Sequence, residues 1–131
     1  MCWNVAGLYN KENEFWEYIL QFHVVILTET WWGQKDWQRN KERMSSLYRW
    51  QIKLATREGS RGRMKGGILI GIRNTLVNQK KWEENNIWLE GSVKNNEHEY
   101  CIIGVYNNKD MKEVRQHWEE MVEKMVIEKN Y

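Results

Sequence analysis

The sequence predicts an α+β domain, and three patterns carry that reading. A short apolar segment, a helix-spaced stretch and a continuous apolar run follow one another over 1–27 and form a βαβ unit. Apolar or alternating segments then recur between 48 and 106, punctuated by turn residues, and read as four antiparallel-type strands. From Lys109 onward the spacing changes to that of an amphipathic helix.

Met1 to Val5 is apolar and runs into Ala6-Gly7, a strand with its exit turn. Phe15, Trp16, Ile19 and Leu20 fall on one helical face. Glu12 and Glu14 suit the first turn of that helix, where the dipole favours anions, and Asn10 or Asn13 is positioned to cap it. Val24-Val25-Ile26-Leu27 has the unbroken apolar character of a strand buried on both faces. A βαβ unit requires its two strands to be parallel with a right-handed crossover.

Trp31 to Met44 is polar and tryptophan-rich, a surface loop with room for a short helix. Tyr48, Trp50, Ile52 and Leu54 alternate with polar residues, as in a half-buried strand. Gly59 to Gly67 is a glycine-punctuated basic loop, followed by an apolar strand over Gly67 to Arg73. Ile87, Leu89, Gly91 and Val93 share one face of a further strand, Asn95-Asn96 suits a hairpin turn, and Tyr100 to Tyr106 returns. In the final helix Met111, Val114, Trp118, Met121, Val122 and Met125 form a stripe expected to pack in the core, with Asn108 as its cap and Asp110 in its first turn.

The 131 residues suit one domain, 1–131, and no composition break divides them. Hydrophobic residues make up 41%, enough to bury a core. The two cysteines, Cys2 and Cys101, form no CxxC pair, which argues against a disulfide scaffold or a zinc site and for reduced thiols. No stretch approaches the roughly 20 apolar residues of a membrane span, and the N-terminus lacks a signal-peptide layout, so the expected setting is intracellular, nuclear or cytoplasmic. Net charge is only +2, so a nucleic-acid partner does not follow from the whole chain. It is suggested locally, because Arg57, Arg61, Arg63 and Lys65 cluster in the glycine-containing loop, where they either contact phosphates or stand solvated. Trp31, Trp32 and Trp37 either stack on bases or fill space beneath their loop.

The two parallel strands end at Asn4 and Glu29. In sheets of this kind ligands bind beyond the carboxyl ends of the strands. A carboxylate directly after an apolar run needs a cation, a donor or water, so Glu29 is either a functional acid or a strand end emerging into solvent. His23, His98 and His117 fall where structural or solvated roles suffice.

Four segments, in order, resemble the endonuclease/exonuclease/phosphatase superfamily. Cys2-Trp3-Asn4-Val5-Ala6-Gly7-Leu8 resembles its opening "WNvaGL" strand, and Ile26-Leu27-Thr28-Glu29-Thr30-Trp31 its second motif, whose Glu binds the metal. Gly62 to Ile72 resembles its "GGvai" strand, and Ile103-Gly104-Val105-Tyr106-Asn107-Asn108 the strand ending in "vY-x-P-N". The wording is most similar to non-LTR retrotransposon (AP-endonuclease-like) endonucleases. It covers the whole chain but only the N-terminal half of the family's domain.

The resemblance implies part of a four-layer αββα sandwich, expected here as one mixed β-sheet with helices on one face. It implies Mg²⁺, with Mn²⁺ as a substitute, and DNA as the partner of the parent family. By position, Glu29 would be the metal ligand, and Asn4, Glu29 and Tyr106 would form the catalytic set. Arg61, Arg63, Lys65 and Asn108 would contact phosphate or nucleic acid. Mg²⁺ prefers oxygen ligands, often one or two carboxylates with waters retained, which suits such a set. The family's later "GDFN" and "SDH" motifs have no counterpart, since Asp36 and Asp110 are the only aspartates and neither lies in such a context. The implied function is therefore a truncated Mg²⁺-dependent phosphodiester hydrolase domain of a retrotransposon-type protein, inactive or nearly so alone. The other reading is a non-catalytic nucleic-acid or protein interaction remnant whose uncovered sheet face seeks a partner or self-associates.

Overall fold

The computed structural model describes residues 1–57, 59, 61–106, 115, 116, 118–120, 122 and 123. The elements are β1 (Cys2–Asn4), α1 (Asn13–Ile19), β2 (Val24–Thr28), α2 (Gln34–Asn40), β3 (Tyr48–Lys53), β4 (Ile68–Arg73), β5 (Val77–Glu84), β6 (Trp88–Lys94) and β7 (Glu99–Val105). The class is α+β, as the periodicities require.

The strands form two sheets rather than the single mixed sheet expected. One has the order β1-β2-β4-β3, with β1 and β2 parallel and the remaining pairs antiparallel; the other is the antiparallel β5-β6-β7. Period-two alternation explains how the first sheet serves two cores at once. Val25, Leu27, Leu69 and Tyr48 face α1 and the 31–37 segment, where they meet Ile19, Phe15, Trp32 and Trp37. Ile26, Ile68, Ile70 and Ile72 face the other way, onto Leu89, Val93 and Ile102 of the second sheet. Each fully buried Ile or Leu contributes roughly 1.5–3 kcal/mol, so both faces of β4 help hold the layers together. Gly104 lets the sheets approach: a Cβ there would lie 2.8 Å from the Ile68 side chain. This close contact carries the end of β7 over the end of β2.

Local details depart from the sequence reading in informative ways. The N-cap of α1 is Glu12, and neither Asn10 nor Asn13 caps the helix; no side chain bonds its first turn. Its C-terminal end is satisfied from the sheet instead. The Tyr48 hydroxyl donates to the Ile19 carbonyl at 2.9 Å and to that of Phe22, and the Arg73 guanidinium donates to the Leu20 carbonyl. The tryptophan-rich loop contains α2, whose first turn is closed by the Gly33 N–H donating to Asp36 at 3.0 Å.

Strand β5 was not anticipated from the sequence. In the last segment 115, 116, 118–120, 122 and 123 are helical, while Met111, Val114, Met121 and Met125 lie outside the described residues. Trp118 and Val122, expected in the core, are exposed. Helical spacing shows that they share a face, not that anything covers it. Among the described residues no helix is long and apolar enough to cross a membrane. Neither cysteine forms a disulfide, and both are exposed.

Candidate functional site

Parallel pairing aligns Asn4 with Thr28, so β1 and β2 end side by side. Their exit segments stay joined: Val5 N–H donates to Thr28 O at 2.9 Å, Gly7 N–H to Glu29 O at 2.8 Å and Leu8 N–H to Thr30 O at 3.1 Å. Three non-glycine residues here take left-handed backbone angles, Ala6 at φ 48°, Glu29 at 57° and Trp31 at 60°. Each costs about 1 kcal/mol or more, and such strain persists only where surrounding contacts over-determine it. Those contacts are visible. Trp31 N–H donates to Gly66 O at 3.0 Å and Thr30 N–H to Gly67 O at 3.3 Å, so the basic loop's end braces the turn.

The left-handed step at Glu29 brings the side chains of residues 29 and 31 together. The Trp31 indole N–H donates to the Glu29 carboxylate. The Tyr106 hydroxyl, arriving from the end of β7, faces the same carboxylate closely enough for the two to interact. Interaction with Glu29 raises the Tyr106 pKa from 10.0 to about 12, with desolvation and the negative charge of Glu29 adding to it and Arg63 opposing. Tyr106 is fixed by its backbone N–H on Ile87 O at 3.0 Å and by its ring lying against Gly66. The Arg63 guanidinium sits 3.9 Å from the Trp31 ring centroid, a cation–π contact.

Both sheets and the basic loop thus supply one cluster: Glu29, Trp31, Tyr106 and Arg63. Asn4 borders it, but its side-chain oxygen accepts the Ala6 N–H at 3.2 Å and so shapes the β1 exit. Arg61 and Lys65 are exposed on the loop and form none of the contacts of the cluster, although the Lys65 backbone pairs with Thr56. Asn108 lies outside the described residues. Trp32 is buried and Trp37 packs against the same core, so these two fill space; Trp31 does not.

The sequence reading missed Trp31 as the partner of Glu29, and it missed Tyr9. Tyr9 is 74% exposed and stacks on Trp31, centroids 6.1 Å apart and planes 27° apart. A left-handed Glu or Trp carries no composition signal, and Tyr9 belongs to no periodic pattern.

Among the described residues no group of three or more His, Cys, Asp or Glu is arranged to hold a metal. The donor set at the cluster is one carboxylate with a phenol and a neighbouring amide, all oxygen. This chemistry fits a hard divalent ion that keeps most of its waters and does not fit a thiophilic one. Its Glu29 carboxylate already accepts the Trp31 indole N–H, so an arriving ion would share the carboxylate with that donor or displace it.

Fold and site together define an α+β, two-sheet protein with a carboxylate–phenol–guanidinium cluster at the ends of two parallel strands. Compared with models of known protein families and with curated proteins, the chain matches none.

Proposed function

We propose that this chain carries the metal- and phosphate-facing part of a Mg²⁺-dependent phosphodiester hydrolase site, of the retrotransposon-endonuclease kind, directed at DNA in an intracellular setting. The observation that supports it best is the convergence of Glu29, bonded by the Trp31 indole, with Arg63 and Tyr106 at one corner beyond the parallel strands. Glu29 would hold the ion, with Mn²⁺ able to replace Mg²⁺. When bound, such an ion neutralises charge on phosphoryl oxygens and on the leaving oxygen. Tyr106 keeps its proton up to high pH and is therefore a permanent hydrogen-bond donor, able to turn from Glu29 to a phosphate oxygen. Arg63 adds a fixed positive charge at the same corner, and Asn4 holds the β1 exit that borders it. Among the described residues no group of three or more His, Cys, Asp or Glu is arranged to hold a metal, and the sequence lacks the later Asp and His motifs of the resembled family, so turnover by this chain alone is expected to be slight or nil.

Supercoiled-plasmid nicking with Mg²⁺ tests this. Little or no nicking is expected, and robust turnover lost on Glu29→Ala would show the additional acidic and histidine groups to be dispensable. A second reading, binding without cleavage, is favoured by the exposed basic loop beside the exposed Tyr9. DNA affinity that does not fall as salt rises would count against any phosphate-reading role for that loop. Trp118 and Val122 are exposed and suit contact between two copies of the chain; a monomer across the accessible concentration range in sedimentation would dismiss that contact.

A further inference from the structure

We propose that Tyr9, backed by Trp31, is a stacking platform for an unpaired nucleobase, so that the preferred ligand of this rim is single-stranded nucleic acid. The proposal rests on the phosphate-facing reading of the same corner and narrows its substrate class. A solitary exposed aromatic residue is ordinary. Tyr9 differs because of what lies beneath it. The Trp31 ring is pinned through its indole N–H to Glu29, through its backbone N–H to Gly66 O and through the Arg63 guanidinium 3.9 Å from its centroid. Tyr9 leans on that immobilised ring and leaves 74% of its surface to solvent. Holding an aromatic stack rigid and open lowers the ordering cost of adding another flat ring. Positive charge is adjacent, with Arg63 in the stack and exposed Arg61 and Lys65 on the same loop. Aromatic faces joined to a basic groove are how proteins hold single strands, because each base offers a π-face and each nucleotide a phosphate. Inside a duplex both faces of a base are already covered by its neighbours, so only an unpaired base can add to Tyr9.

The test is fluorescence anisotropy of a fluorescein-labelled oligodeoxythymidylate, alone and annealed to its complement, in EDTA at low salt, with the full chain. An oligouridylate run beside it shows whether the deoxy or the ribo strand is the tighter source of the same chemistry. The single strand is expected to bind more tightly than the duplex. Tyr9→Ala should weaken single-strand binding by about 5- to 150-fold, the range for one base–aromatic stack, with Tyr9→Phe close to wild type and the duplex little affected. Duplex affinity equal to or above that of the single strand, no binding of either strand, or an unchanged single-strand affinity in Tyr9→Ala would overturn the proposal. Because the assay is run in EDTA, single-strand binding is read without any ion at Glu29, so failure of this proposal and failure of the hydrolase reading are distinguishable.

Discussion

Tyr106→Phe removes one oxygen atom and with it the interaction of that hydroxyl with Glu29. The hydroxyl pKa rises from 10.0 to about 12 in the folded protein, and one pKa unit corresponds to 1.36 kcal/mol. Two units would give about 2.7 kcal/mol, but the hydroxyl lies on a partly exposed rim, and solvent screening reduces this to about 1 kcal/mol. Because the folded pKa lies above the unfolded value, this stabilisation is complete below pH 10 and is lost as pH climbs through about 12. Urea unfolding of wild type and Tyr106→Phe should therefore differ by about 1 kcal/mol well below pH 10, with the gap closing as pH rises above it. Ultraviolet difference titration of the two proteins isolates the Tyr106 tyrosinate, whose pKa should fall back toward 10.0 in Glu29→Gln and rise further in Arg63→Ala. A stability gap that stays constant or widens across this alkaline window would refute the reasoning, as would a Tyr106 pKa indifferent to Glu29.

The turn that braces the cluster makes a further prediction. Gly67 has φ +90°, and a Cβ there would lie 2.3 Å from Thr30 Oγ1, whereas Gly62 has φ +99° and nothing within 4 Å. Gly67→Ala should cost about 3 kcal/mol from strain plus overlap and Gly62→Ala about 1 kcal/mol from strain alone, measured by urea unfolding. At the opposite end of the first sheet, Tyr48→Phe removes the hydroxyl donor of the Phe22 carbonyl and of the Ile19 carbonyl, which keeps only the Phe22 N–H at 3.2 Å. A loss of about 1–2 kcal/mol is expected in the same assay, and wild-type stability would mean that water or other groups satisfy those carbonyls.

Much of the fold is legible because burial writes a period into the chain. Val24 to Leu27 and Ile68 to Ile72 are apolar at successive positions because β2 and β4 are each buried on two faces, and the βαβ pattern alone places Asn4 and Glu29 at one sheet edge. Where burial is slight the signal fails. β5 carries Lys80, Lys81, Glu83 and Glu84, lies at the edge of its sheet and shifts register twice, so backbone pairing holds it and apolar alternation does not mark it. Only Trp82, packed with the inter-sheet core, betrays an inward side. Pairing partners are equally silent in periodicity, which is why a second sheet was read as a continuation of the first. At the site, the strand ends were readable from spacing, and the order of the four motifs pointed to Glu29 and Tyr106. What could not be read is the left-handed geometry at Glu29 and Trp31, since neither residue type favours it. That geometry is what turns the Trp31 indole onto the carboxylate.

The most direct test of a metal held by Glu29 is paramagnetic broadening by Mn²⁺, followed on the indole N–H resonances of ¹⁵N-labelled protein with Trp31 assigned by Trp31→Phe. Saturable broadening is expected, greatest at Trp31, reversed by excess Mg²⁺ and abolished in Glu29→Gln. Broadening that is unsaturable, centred on other tryptophans or unchanged in Glu29→Gln would contradict it.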